Sequence, residues 1–145
     1  MKLGTATEVI SFAKKLEGDG AAFYESLARL HPGDRETLLS FAGENKRNAA
    51  QIDQAYYSGI TDALEGGFAF SMDADKYALD MRAVDGENIS HSLRRAAAME
   101  DGILRFYTDA AAQSKSLMTD VSRIFALLAR KRNSRLEKLK SLAGG

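Results

Sequence analysis

The chain has no cysteine, no tryptophan, a single proline (Pro32) and only His31 and His91 as histidines. Without cysteine there are no disulfides, no thiolate metal sites and no thiol nucleophile. Two histidines cannot furnish a His-rich metal site. Scarcity of proline leaves long helices uninterrupted, because its ring removes a helical hydrogen bond. An excess of one charge is also lacking: 20 Lys+Arg balance 20 Asp+Glu. That balance argues against a nucleic-acid or membrane-surface partner. No stretch reaches the roughly 18 apolar residues of a membrane span, and the opening MKLGTATEVISFAKKLE carries no long apolar segment. With 145 residues, 45% apolar and 28% charged, the expectation is one cytoplasmic domain over 1–145.

What is present is helical period. Thr5 and Glu8 have capping-box spacing at the head of a first helix over 6–30. Its apolar stripe is Val9, Phe12, Ala13, Leu16, Gly20, Phe23, Leu27 and Leu30, spaced by threes and fours. HPGD punctuates, with Asp34 as the expected N-cap of a second helix over 35–57. Leu38, Phe41, Ala42, Ala49, Ile52 and Tyr56 face inward there. A third helix begins near 87–89 and runs to Ser114, and a fourth spans 119–142. Between the second and third lie about 30 residues rich in glycine, with Phe68, Phe70 and Met72 and an expected short helix near 73–81. Short, long and short connections predict two antiparallel helical hairpins joined by a long crossover. That is an all-α four-helix bundle of ferritin-like topology.

Two phrases nearly repeat. LEGDGAAFYE (16–25) and MEDGILRFYT (99–108) each place a glutamate after an apolar residue and Phe-Tyr six and seven positions later. Glu17 has Ala13, Gly20, Ala21 and Tyr24 at its helical neighbour positions, and Glu100 has Ala96, Ala97, Ile103, Leu104 and Tyr107. Both glutamates therefore point into the bundle. With LLSFAGENKRNAAQI and IFALLARKRNSRLEKLKSL, these phrases resemble the four helices of the rubrerythrin-like branch of the ferritin-like superfamily. The resemblance covers nearly the whole chain. It implies a di-iron protein that handles oxygen or peroxide, and a homodimer. The rubredoxin domain of rubrerythrin has no counterpart in this sequence.

The resemblance breaks at the ligands. Such sites take one Glu from each of two helices and Glu-x-x-His from each of the other two. Glu17 and Glu100 match the first pair. On the second helix the inward positions are Asn45 and Asn48, and on the fourth Arg132 and Arg135. Both Glu-x-x-His pairs are thus lost. Arginine keeps its proton inside proteins and offers no lone pair, so it repels a metal cation. Two inward glutamates facing two inward arginines form an ion-pair core of zero net charge, with the asparagines completing the hydrogen bonds and Tyr24 and Tyr107 lining the former metal cavity. A slip of one residue would turn Arg130 or Lys131 inward instead. Glu44 lies one position off the stripe and is not read as a ligand.

These residues lead to a metal-free, non-catalytic scaffold or interaction protein with no cofactor. The alternative keeps a metal on Glu17 and Glu100: iron or another divalent ion, hard oxygen donors favouring Mn, Mg or Ca. A third reading is a binder of a small anion in the vacated core. The crossover residues Phe68, Phe70 and Met72 either cover the bundle or join two subunits. His31 in the turn and His91 off the stripe have no metal-ligand arrangement. The basic run 130–140 suits the negative end of a helix dipole. No phosphate loop and no Ser-His-Asp arrangement is present.

Overall fold

The structure, a computed structural model, describes residues 1–63, 70–77, 79–82, 88–115 and 119–143, without the side chains of 58–63. Helix α1 (Ala6–Leu30) starts on the expected capping box: Thr5 Oγ1 accepts from the Glu8 N–H, and Glu8 Oε1 accepts from the Thr5 N–H, both at 3.1 Å. Donation from the Gly4 and Thr5 backbone holds the Glu8 carboxyl below its ordinary pKa. Pro32–Asp34 then forms a 3₁₀ turn that runs into α2 (Arg35–Ala63). Asp34 is part of that turn rather than an isolated N-cap.

Helix α2 continues six residues past the expected end at Tyr57. Ser58 and Gly59 each disfavour helix by no more than about 1 kcal/mol, too little to stop it without a proline. Helix α3 (Ile89–Ser114) is capped by Asn88, whose Oδ1 accepts from the His91 N–H at 2.8 Å, and α4 spans Thr119–Leu142. The result is an all-helical bundle in which α1 packs mainly on α2, α3 on α4, and α2 touches α4.

The link between α2 and α3 differs from expectation. A bridge pairs β1 (Lys2–Leu3) with β2 (Met72–Asp73) in antiparallel fashion, and a 3₁₀ turn over Ala74–Tyr77 replaces the longer helix expected near 73–81. Asp73 Oδ1 accepts from the Asp75 N–H at 3.1 Å, a local bond that competes with continued helix. Phe70 and Met72 are buried, so they cover the bundle instead of facing a second subunit. Phe68 lies outside the described residues. Beneath this cover Phe106 takes Phe12 and Tyr77 edge-on at 5.2 and 5.6 Å. Leu30, expected inward, is 45% exposed at the last position of α1. No helix among the described residues is long and apolar enough to cross a membrane.

Gly102 fixes how closely this segment approaches. A Cβ there would sit 2.6 Å from the Tyr77 carbonyl oxygen and 2.8 Å from Leu79 Cδ2. Gly102→Ala is therefore expected to destabilise the fold by about 1–3 kcal/mol through overpacking. Gly18→Ala, which meets nothing within 4 Å on an exposed helical position, is expected to stabilise it by about 0.5–1 kcal/mol. Urea denaturation of the two variants checks the contrast.

Candidate functional site

Halfway along the bundle each helix contributes a polar side chain to one buried layer. Glu17, Asn45, Asn48, Glu100 and Arg132 are fully buried, and Arg135 is 3% exposed. Helical register alone puts them there. Each lies three or four positions from apolar residues that must face the core, as Asn45 does from Phe41 and Arg132 from Leu128. The six inward positions read from the sequence are thus brought together.

Arg132 is the centre. Its Nη1 donates to both oxygens of Glu100 at 2.6 and 2.8 Å, while its Nη2 donates to Glu17 Oε2 at 2.5 Å. One guanidinium thereby bridges the two glutamates of the repeated phrase. Burial by itself would lower the pKa of this group, yet the carboxylates of Glu100 and then Glu17 hold it well above the ordinary value. Asn48 Nδ2 donates to the other oxygen of Glu17 at 3.1 Å. Arg135 Nη1 donates to Asn45 Oδ1 at 2.6 Å and to Glu100 Oε1 at 3.3 Å. Its guanidinium also lies over the rings of Phe41 and Tyr24, at 4.9 and 5.3 Å. Gly20 makes room for the layer, since a Cβ there would sit 2.5 Å from Asn45 Nδ2.

The tyrosines do more than line the space. Tyr24 on α1 donates to Glu100 on α3 at 2.6 Å, and Tyr107 on α3 donates to Glu17 on α1. Each copy of the repeated phrase thus supplies the phenol for the other copy's carboxylate, which requires α1 and α3 to run antiparallel. The sequence places both tyrosines in the cavity lining without these bonds; the recurrence of Tyr seven positions after each Glu is the signal that could have found them. Burial, then the neighbouring carboxylate, raises both phenols well above their ordinary pKa.

One expectation is corrected. Glu44 joins the layer from its rim, accepting from Arg135 Nη2 at 2.5 Å with its side chain 33% exposed. The two buried carboxylates still balance the two buried guanidinium groups, and Glu44 adds a third carboxylate at the rim. A position one step off the apolar stripe can still reach inward, because a glutamate is long enough to bend toward a cation. Asn45 Nδ2, Asn48 Oδ1 and the Nε atoms of both arginines are buried and bond no other described protein group.

The donor set does not suit an iron pair. The space between Glu17 and Glu100 is taken by a cation that cannot coordinate, and the facing positions carry amides. Among the described residues no group of three or more His, Cys, Asp or Glu side chains is arranged to hold a metal ion. His31 lies in the turn after α1 and His91 is exposed in the first turn of α3, away from this layer. No protein-family model, curated protein or solved structure matches the chain.

Two outcomes follow from this layer. Arg132→Ala leaves Glu17 without a cation and Glu100 with only Arg135 at 3.3 Å, and is expected to cost about 3–5 kcal/mol in urea denaturation. Arg132→Lys, a point charge that cannot fork to both acids, is expected to recover only part of that loss. In alkaline titration followed by phenolate absorbance, Tyr24 and Tyr107 are expected to ionise only as the protein unfolds. An unfolded chain sheds these protons near pH 10 while the folded one keeps them. Their contribution is thus complete below about pH 10 and lost as pH rises beyond it. Tyr24→Phe and Tyr107→Phe should each remove one group from the delayed step.

Proposed function

We propose that this chain is a rubrerythrin-like bundle of ferritin-like topology in which a Glu–Arg–Glu network replaces the di-iron centre, and that it works without metal as a scaffold or interaction protein. The observation that carries the reading is Arg132, whose guanidinium contacts both Glu17 and Glu100. A fixed monocation there satisfies the same carboxylates that a metal would need. It also excludes a second cation by Coulomb repulsion in a water-poor site, where such repulsion is far stronger than in water. Asn45, Asn48 and Arg135 occupy the remaining ligand positions with groups that bind iron poorly or repel it.

A redox role on this centre would need the arginines displaced. That would leave them buried without anions, at a cost of several kcal/mol each. A small anion is disfavoured for the converse reason: the terminal nitrogens of both guanidinium groups already donate to Glu17, Glu100, Glu44 and Asn45, and three carboxylates stand beside them. What the network retains is alignment. Charged groups from all four helices meet only at one relative sliding of the hairpins, the best-attested use of a buried polar layer. A rigid bundle with a chemically silent core suits presentation of its outer faces.

Elemental analysis of protein purified without chelator is the test. The expected result is metal far below one ion per chain, with no increase after incubation with ferrous iron or manganese. Two ions per chain would overturn the reading. The quadruple variant Asn45→Glu, Asn48→His, Arg132→Glu and Arg135→His is expected to bind iron. If it folds and does not, the assignment of these positions to a former iron site fails, separately from the question of metal in the native chain.

A further inference from the structure

The two long seams of the bundle are closed unequally. Phe70, Met72 and Tyr77 of the crossover cover the one between α1 and α3. Between α2 and α4 a groove of about 540 Å³ stays open, a volume suited to a small molecule. Its floor is Ala55 of α2 with Ile124 and Leu127 of α4, all half-buried. At one end Asp120 and Arg123 pair with each other at 3.5 Å. At the other stands Arg130, exposed, the one arginine of α4 that meets no carboxylate among the described residues. Gln51 lies level with it. Arg135 meets Asn45 at 2.6 Å, and α2 and α4 run in opposite directions. Six positions on along α2 and six back along α4 therefore bring Gln51 beside Ala129 and Arg130. The Gln51 carboxamide is engaged by no described group, and its oxygen is buried without a partner.

We propose that this groove binds a long-chain carboxylate, its head on Arg130 and Gln51 and its alkyl chain along Leu127, Ile124 and Ala55. A carboxylate is the planar acceptor that a guanidinium fork takes in two parallel bonds. The Gln51 amide, rotated about its last bond, offers an N–H to the same oxygens. From Arg130 to Arg123 the apolar floor runs for about 10 Å at the usual helical rise, and it ends at a pair that is already neutral. Asp120 does not oppose this occupant. It is met by Arg123 and lies about 15 Å along the helix from Arg130, beyond the roughly 8 Å screening length of physiological salt. A neutral hydrocarbon would leave Arg130 unanswered, and a polyanion would find only one uncommitted cation in the groove. The inference does not depend on what the polar core holds, since no residue of that layer lines the groove.

Calorimetric titration of the full chain with sodium decanoate, kept below its micelle threshold, reads the outcome. Saturable binding of one decanoate per chain is the expected result. Arg130→Ala should weaken it about tenfold or more, the effect of losing charge-assisted hydrogen bonds. Decanol, with the same chain and no charge, should bind the native protein no better than decanoate binds Arg130→Ala. Leu127→Ser should weaken both ligands. Lys138→Ala, which removes an exposed cation of α4 outside the groove, should change neither. Circular dichroism should show unchanged helical content in every variant. A chain without saturable decanoate binding overturns the proposal, as does binding that Arg130→Ala leaves intact or that decanol equals. Decyl phosphate bound more than about tenfold tighter than decanoate would give the groove to a phosphate head. Co-sedimentation with phosphatidylglycerol vesicles, lost in Arg130→Ala, would give it to a membrane surface. Either result also overturns the carboxylate.

Discussion

A guanidinium that cannot lose its proton, closed in by four helices, sets the terms for everything around it. Arg132 is fully buried, so its charge must be met by anions at hydrogen-bond distance, and Glu17 and Glu100 meet it. Those carboxylates have lone pairs left over, which Asn48, Tyr24 and Tyr107 occupy. Arg135 repeats the demand one turn along α4 and draws in Asn45 and Glu44. The layer is thus a chain of obligations begun by one side chain that has no neutral form.

Such a layer is a poor source of stability. Desolvating four charged groups cancels much of the Coulomb gain, and a well-packed apolar core of the same volume would do as well or better. It is a good source of uniqueness. Apolar helix faces tolerate sliding by a turn, whereas Tyr24 reaches Glu100 and Tyr107 reaches Glu17 only at one offset of α1 against α3. The two hairpins are joined by a long crossover that by itself constrains their relative position weakly. The polar layer supplies what the connection does not.

Resemblance and site chemistry point in different directions here, and the site decides function. In the proposed reading, helix order, connection lengths and the repeated Glu phrase are those of a bundle that elsewhere carries metal, while the side chains at the proposed former ligand positions fit a cation already built into the chain. The outer surface shows a matching asymmetry: one seam roofed by the chain's own crossover, the other left as a groove with charges of opposite sign along its margin.

The ends of α1 and α4, the capping box at Thr5 and the inward positions of Glu17, Asn45, Asn48, Glu100, Arg132 and Arg135 were all legible in the sequence. Each is a consequence of the 3.6-residue period or of contacts within one turn, and both are local. The crossed Tyr–Glu bonds, the recruitment of Glu44, the burial of Phe106 and the β1–β2 bridge were decided only by tertiary packing. They depend on the offset and distance between segments far apart in the chain. Periodicity tells which side of a helix is buried but not which residue of the next helix it will meet.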